Sequence, residues 1–187
     1  MTICTYNART LASEAAIEVL MMQVQKIKYD VIGLTETRRR HPLSAVYETG
    51  EELFSGTCDS SGGGVGVLVN TTMAKNIDTF EQLMIRVGRL CMRRCGLTPA
   101  LAIFVAYAPT SIKLRRRSSR SFLYGPGEVH AFYKVIIGDF NGKVGPRRTP
   151  KKLHIGTHGL QWNEQGERLS SSGPLPFISS RFIFSSS

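Results

Sequence analysis

The stretch that most narrows what this chain can fold into is Lys134–Asn141, KVIIGDFN. Val135, Ile136 and Ile137 are three β-branched residues in a row, the pattern of a strand buried on both faces. Gly138 lets the backbone leave the sheet, and strand alternation then aims Asp139 and Asn141 the same way around Phe140. A carboxylate and an amide pointing together can hold a water, a hydrated cation or a phosphate oxygen. A polar turn closing a strand would produce the same letters, so the rest of the chain must decide.

Read in order, the chain alternates strands and helices. Thr2–Tyr6 is a short β-rich run that delivers Asn7 at its end. Ser13 with Glu14 predicts a capped helix running to about Lys28, with Ala16, Ile17, Leu20, Met21, Val24 and Ile27 on one face. Val31–Thr35 reads as a second buried strand, and Glu36 follows it. Ser60–Gly66 predicts a hairpin turn leading into Val65–Val69. It is not a phosphate loop, because no Lys-Ser/Thr follows and the next element is a strand. Phe80–Arg94 and Leu97–Tyr107 read as two further strands, the second stopped by Pro109. Buried strands thus end in Asn7, Glu36, Tyr107 and Asp139/Asn141. Sites in sheet proteins gather beyond strand ends. These side chains together would make a small acidic, amide-rich pocket with a phenol, suited to a hard cation and a phosphate.

Charge agrees with that chemistry. The 187 residues carry a net charge of +10, which favours a polyanionic partner such as nucleic acid. Part of the excess is local, since Ile112–Gly127 holds Lys113, Arg115, Arg116, Arg117 and Arg120 and no acid. Cys4, Cys58, Cys91 and Cys95 are scattered, and no signal-peptide pattern precedes them, so reduced thiols in a nuclear or cytoplasmic, non-secreted protein are expected. The Asn70-Thr71-Thr72 sequon has no meaning without secretion. No apolar run approaches the ~20 residues of a membrane span, and no protein partner is evident.

Tyr6-Asn7, Leu34-Thr35-Glu36-Thr37, the Gly62–Val69 run, Tyr107-Ala108-Pro109-Thr110 and Ile137-Gly138-Asp139-Phe140-Asn141 resemble, in order and context, the motifs of the endonuclease/exonuclease/phosphatase superfamily. That superfamily includes apurinic endonucleases and deoxyribonucleases. More narrowly, the chain resembles the endonuclease domain of RTE-type non-LTR retrotransposons and the related craniofacial development protein 2-like sequences. The resemblance implies a two-sheet α/β sandwich flanked by helices, and hydrolysis of DNA phosphodiesters with Mg²⁺ (or Mn²⁺). It implies that Glu36 is the acidic metal ligand and that Asn7 helps position metal and phosphate. Tyr107 would be the phenol at the scissile phosphate, Asp139 the carboxylate that orients or activates the attacking water, and Asn141 the amide that steadies developing charge. Asn163, in the Trp162–Leu169 segment, would lie near the DNA.

Two departures bear on activity. The family's terminal Asp strand and its Ser-Asp-His motif have no counterpart after Leu169, where Ser170–Ser187 reads SSSGPLPFISSRFIFSSS. The domain, residues 1–170, is therefore expected to be incomplete at its C-terminus, with 171–187 a low-complexity tail and catalysis impaired. Residues 112–130 replace an acidic amphipathic helix with a basic, Ser-rich insert. That insert reads either as a DNA-backbone contact loop or as sequence that never evolved in this place, such as a shifted frame. The alternative to a working nuclease is a catalytically dead remnant of a mobile element, at most a basic nucleic-acid-binding protein.

Several features add less. Arg38 and Arg39, just after Glu36, and Arg147 and Arg148, in the Pro146–Lys152 loop, would rim the pocket with positive charge and reach a DNA backbone; solvated turns are the plainer reading. His154 and His158 have metal-ligand spacing only on a helix, which Gly156 opposes. Cys91 and Cys95 lack the second pair that a zinc site needs.

Overall fold

Two sheets stacked face to face organise the chain. The computed structural model describes residues 1–60, 62–93, 100–108, 133–143, 161 and 163–171. The expectations for 112–130, Arg147, Arg148, His154, His158, Cys95 and residues 172–187 lie outside them. The first sheet has the order β1-β2-β5-β4-β3, built from β1 Ile3–Asn7, β2 Val31–Thr35, β3 Leu43–Val46, β4 Glu52–Ser55 and β5 Val65–Val69. The second has the order β6-β7-β8-β9, from β6 Ile77–Met84, β7 Val87–Met92, β8 Leu101–Tyr107 and β9 Tyr133–Asp139. Helices α1 Glu14–Val24, α2 Thr71–Ala74 and α3 Glu164–Ser171 complete the described elements. The α/β two-sheet architecture is the one expected.

Alternation explains why the central strands are apolar throughout. Val31, Val65, Val67 and Val69 face Leu90, Ile103, Val105 and Ile137 of the other sheet. The intervening Ile32, Leu34 and Leu68 face Leu11, Ile17, Leu20 and Val24 on the α1 side. Each such side chain, fully buried, contributes ~1.5–3 kcal/mol. Gly33 lets the sheets close on one another: a Cβ there would lie 2.6 Å from Ile137 Cδ1 and 3.1 Å from Val105 Cγ2.

Helix α1 is capped as its sequence predicts, Ser13 Oγ accepting from the Ala16 amide at 3.3 Å, but it ends at Val24 rather than near Lys28. The glycine-rich turn does join a hairpin, because β5 pairs antiparallel with β4. The segment Phe80–Arg94, read as one strand, is instead the hairpin β6–β7, turning at Ile85-Arg86. Neither turn residue has a positive φ, so the Asn-Gly type of signal that marks most tight hairpins was never needed. Strands β3 and β4 were not anticipated, because their short polar-apolar alternation barely exceeds that of a loop. Asn70 caps α2, and its amide nitrogen donates to the Tyr29 carbonyl at 2.7 Å and Asp30 Oδ1 at 3.0 Å; this engagement accounts for the asparagine without any modification. Among the described residues, Cys4, Cys58 and Cys91 are not joined in disulfides. Among the described residues, no helix is long and apolar enough to cross a membrane.

Candidate active site

Parallel pairing sets where the site forms. β1 runs parallel to β2 with Asn7 opposite Thr35, and β8 runs parallel to β9 with Tyr107 opposite Asp139. Both pairs end at the same rim of the sandwich, one pair in each sheet, so four strand ends open into one crevice. Asn7 bridges the layers: its Nδ2 donates to Glu36 Oε1 at 2.9 Å and faces Asp139 Oδ2 at 3.4 Å. The carbonyl of the same side chain accepts from the Arg9 amide at 2.9 Å, which fixes which end of the amide faces the carboxylates. Tyr107 hydrogen-bonds to Glu36. Burial first, then the charge of Glu36 and the hydrogen bond to it, then Asp139, raise the phenol's pKa, while Arg86 opposes them. At neutral pH the phenol therefore keeps its proton and acts as a donor. The structure brings Asn7, Glu36, Tyr107, Asp139 and Asn141 together.

Left-handed backbone is concentrated around this point. The described non-glycine residues with positive φ are Arg9 (53°), Glu36 (55°), Arg38 (51°) and Asn141 (47°). Each costs roughly 1–2 kcal/mol relative to an ordinary conformation, so neighbouring bonds must hold them. Around Glu36, the Thr35 carbonyl accepts from Ala8 N at 2.9 Å, the Thr37 carbonyl from Leu11 N at 2.8 Å, and the Gly63 carbonyl from Arg38 N at 2.8 Å. Asn141 closes an Asx-type turn, its N–H donating to Asp139 Oδ1 at 3.0 Å. Its own amide donates to the Ala108 carbonyl at 2.8 Å, tying the end of β9 to the end of β8.

The basic residues fare differently. Arg38 Nη2 lies 3.0 Å from Glu36 Oε2 at a side chain 53% exposed. Arg39 turns away, its Nη1 donating to the Leu11 carbonyl at 2.7 Å; it anchors the β1–α1 loop and is not brought to the site. Asn163 is tied to the backbone of Asn141. Its Oδ1 accepts from Lys143 N at 2.9 Å and Gly166 N at 2.8 Å, and its Nδ2 donates to the Asn141 carbonyl at 2.9 Å. It thus caps α3, a role that Asn followed by Glu-Gln could have signalled, and it also braces the loop after β9. Replacing it with alanine is expected to lower stability by about 1–2 kcal/mol, read from urea unfolding; an unchanged midpoint would remove the bracing role. Sequence reasoning also missed Gln82, whose Oε1 accepts from Thr57 N at 2.9 Å and whose Nε2 donates to the Thr57 carbonyl at 2.7 Å, clamping the β4–β5 loop.

No protein-family model and no curated protein matches the sequence. Solved structures do. An endonuclease/exonuclease/phosphatase family protein from Leptotrichia buccalis C-1013-b superposes with a TM-score of 0.52 at 14% identity, covering 76% of this chain and 67% of that one. The AP endonuclease LMAP from Leishmania major superposes with a TM-score of 0.56 at 14% identity, covering 90% of this chain and 63% of that one. The fold is the endonuclease/exonuclease/phosphatase fold. The chain spans about two thirds of the length of these neighbours. Within the endonuclease/exonuclease/phosphatase fold, as this chain forms it, the crevice described above lies at the strand ends of both sheets.

Whether a divalent cation suits these residues is a question of donors. Among the described residues no group of three or more His, Cys, Asp or Glu side chains comes together, so an all-protein cage is absent from that part of the chain. Mg²⁺ does not require one: it binds through one or two carboxylates and keeps waters and substrate phosphate as its other ligands. Glu36 and Asp139, reaching one amide nitrogen from two sheets, fit that pattern. The Asn7 oxygen is turned to Arg9, so Glu36 is the donor that would hold the ion, with Asp139 left beside it for a water.

Proposed function

We propose that this crevice hydrolyses phosphodiester bonds of DNA with a divalent cation, Mg²⁺ or Mn²⁺, in the manner of the endonuclease domains of RTE-type retrotransposons. The observation that carries the reading is the Asn7 bridge, which gathers carboxylates 29 and 132 residues away in sequence around one amide. A bound cation would neutralise the phosphate and make phosphorus more electrophilic. Glu36 would hold it. Asp139, with Oδ1 fixed by the Asn141 amide, is oriented to receive the proton of an attacking water at Oδ2. The Tyr107 hydroxyl, protonated and already aimed at the carboxylates, donates to a phosphate oxygen as charge builds there. Asn141 acts by holding Asp139 and the end of β8.

The net charge of +10 favours a second reading, a chain that binds nucleic acid through its basic residues without cutting. Supercoiled plasmid separates the two. Nicking that appears with Mg²⁺ or Mn²⁺ and stops on chelation supports hydrolysis, whereas retention of DNA with no nicking under either metal leaves binding alone.

A further inference from the structure

The turn between β6 and β7 brings an arginine to the site that no motif marks. Ile85 and Arg86 are held from three directions. Met84 pairs with Val87 across the turn, Gln82 Nε2 donates to the Ile85 carbonyl at 3.2 Å, and the Tyr107 amide donates to the Arg86 carbonyl at 3.0 Å. The side chain is equally placed. A Cβ on Gly63 would meet the Tyr107 ring at 3.4 Å and Arg86 Nε at 3.5 Å, and one on Gly62 would meet Arg38 Nε at 3.8 Å. Two guanidinium groups, one from each sheet, therefore approach neighbouring glycines of a single loop. Gly63 has φ +99°, so this close approach is kept open by the one residue that tolerates such a backbone.

Arg86 is half-buried beside the phenol. Its charge draws the Tyr107 pKa down against the carboxylates that raise it. Guanidinium is the side chain best shaped to hold a phosphate by paired hydrogen bonds, and the rigid turn means that little freedom is lost when it does so. We propose that Arg86 grips a backbone phosphate next to the scissile one, with Arg38 serving the neighbouring position. The inference rests on the hydrolytic reading and adds to it a substrate contact from the second sheet.

The test is the salt dependence of binding to a short fluorescein-labelled DNA duplex in EDTA, so that no cleavage intervenes. Arg86→Gln should flatten the slope of log K against log salt by about 0.9, the share of one neutralised phosphate, while Arg86→Lys keeps it. Arg93→Ala serves as the comparison: Arg93 lies just past the far end of β7, 3.9 Å from Asp78 and 64% exposed, and its slope should change less. On the wild-type protein, duplex DNA should shield Arg86 from phenylglyoxal and leave Arg93 open, a readout that needs no variant to fold. A wild-type slope in Arg86→Gln, or undiminished modification of Arg86, overturns this inference while plasmid nicking still stands. A wild-type chain that neither binds nor nicks overturns both.

Discussion

Asp139→Asn should slow plasmid nicking by ~10²–10⁴-fold while leaving the urea midpoint close to wild type. Asparagine keeps the shape and leaves one oxygen to accept from the Asn141 amide, now 3.0 Å from Oδ1. What it loses is the capacity to take a proton at the atom facing Asn7. The 3.4 Å separation there is long for a hydrogen bond, so turning that atom into a donor disturbs the fold little. Glu36→Gln should behave differently. In the proposed mechanism the Glu36 charge holds the cation, so activity should recover in part as Mg²⁺ is raised, whereas the Asp139→Asn rate stays flat. If Asp139→Asn nicked as fast as wild type, the proton-acceptor role would be wrong; if added metal rescued both variants alike, the division of labour between the carboxylates would be.

Gly138→Ala is expected to be the most damaging small substitution in the described residues. Its Cβ would stand 1.8 Å from the Ala106 carbonyl oxygen and 2.8 Å from the carbonyl carbon, on a backbone with φ +145°. Backbone cannot swing aside as a side chain can, so β9 must part from β8 along their parallel ladder. A loss of at least about 4 kcal/mol follows, from a total that for a domain of this size is roughly 5–15 kcal/mol. Far-UV circular dichroism in urea would show it. Gly142→Ala is the counter-case, since its Cβ meets Gly166 at 3.4 Å, an ordinary contact, and little change is expected. A Gly138→Ala chain that unfolds at the wild-type urea midpoint would contradict the described β8–β9 register.

Much of this was legible in the residues, for physical reasons that differ by element. Runs such as Val31–Thr35 and Val135–Ile137 read as strands covered on both sides; the structure makes both strands, β2 covered by the second sheet and α1 and β9 buried at Ile136 and Ile137. The polar residues that follow such runs are forced to a common rim by parallel pairing, so Asn7, Glu36, Tyr107 and Asp139 could be named in advance. What was not legible depends on partners distant in sequence. Nothing local tells that Asn163 props Asn141, that Arg39 reaches back to Leu11, or that Gln82 clamps Thr57. The Ile85-Arg86 turn was missed because its conformation makes no demand on residue type. The left-handed backbone of Glu36 was equally silent: it is imposed by the flanking hydrogen bonds, not by any preference of glutamate.

Because Glu36 hangs from one layer of the sandwich and Asp139 from the other, the gap between them is a gauge of how far apart the layers rest. That spacing is set deep below the rim, where Gly33 admits the tip of Ile137. Any exchange that fattens or thins this interior contact reaches the reactive groups as a change in span, with no rim residue altered. Under the proposed hydrolysis, the interior of this chain calibrates the chemistry, and drift in its hydrophobic residues would retune or silence the crevice while every residue on its lip remained in place.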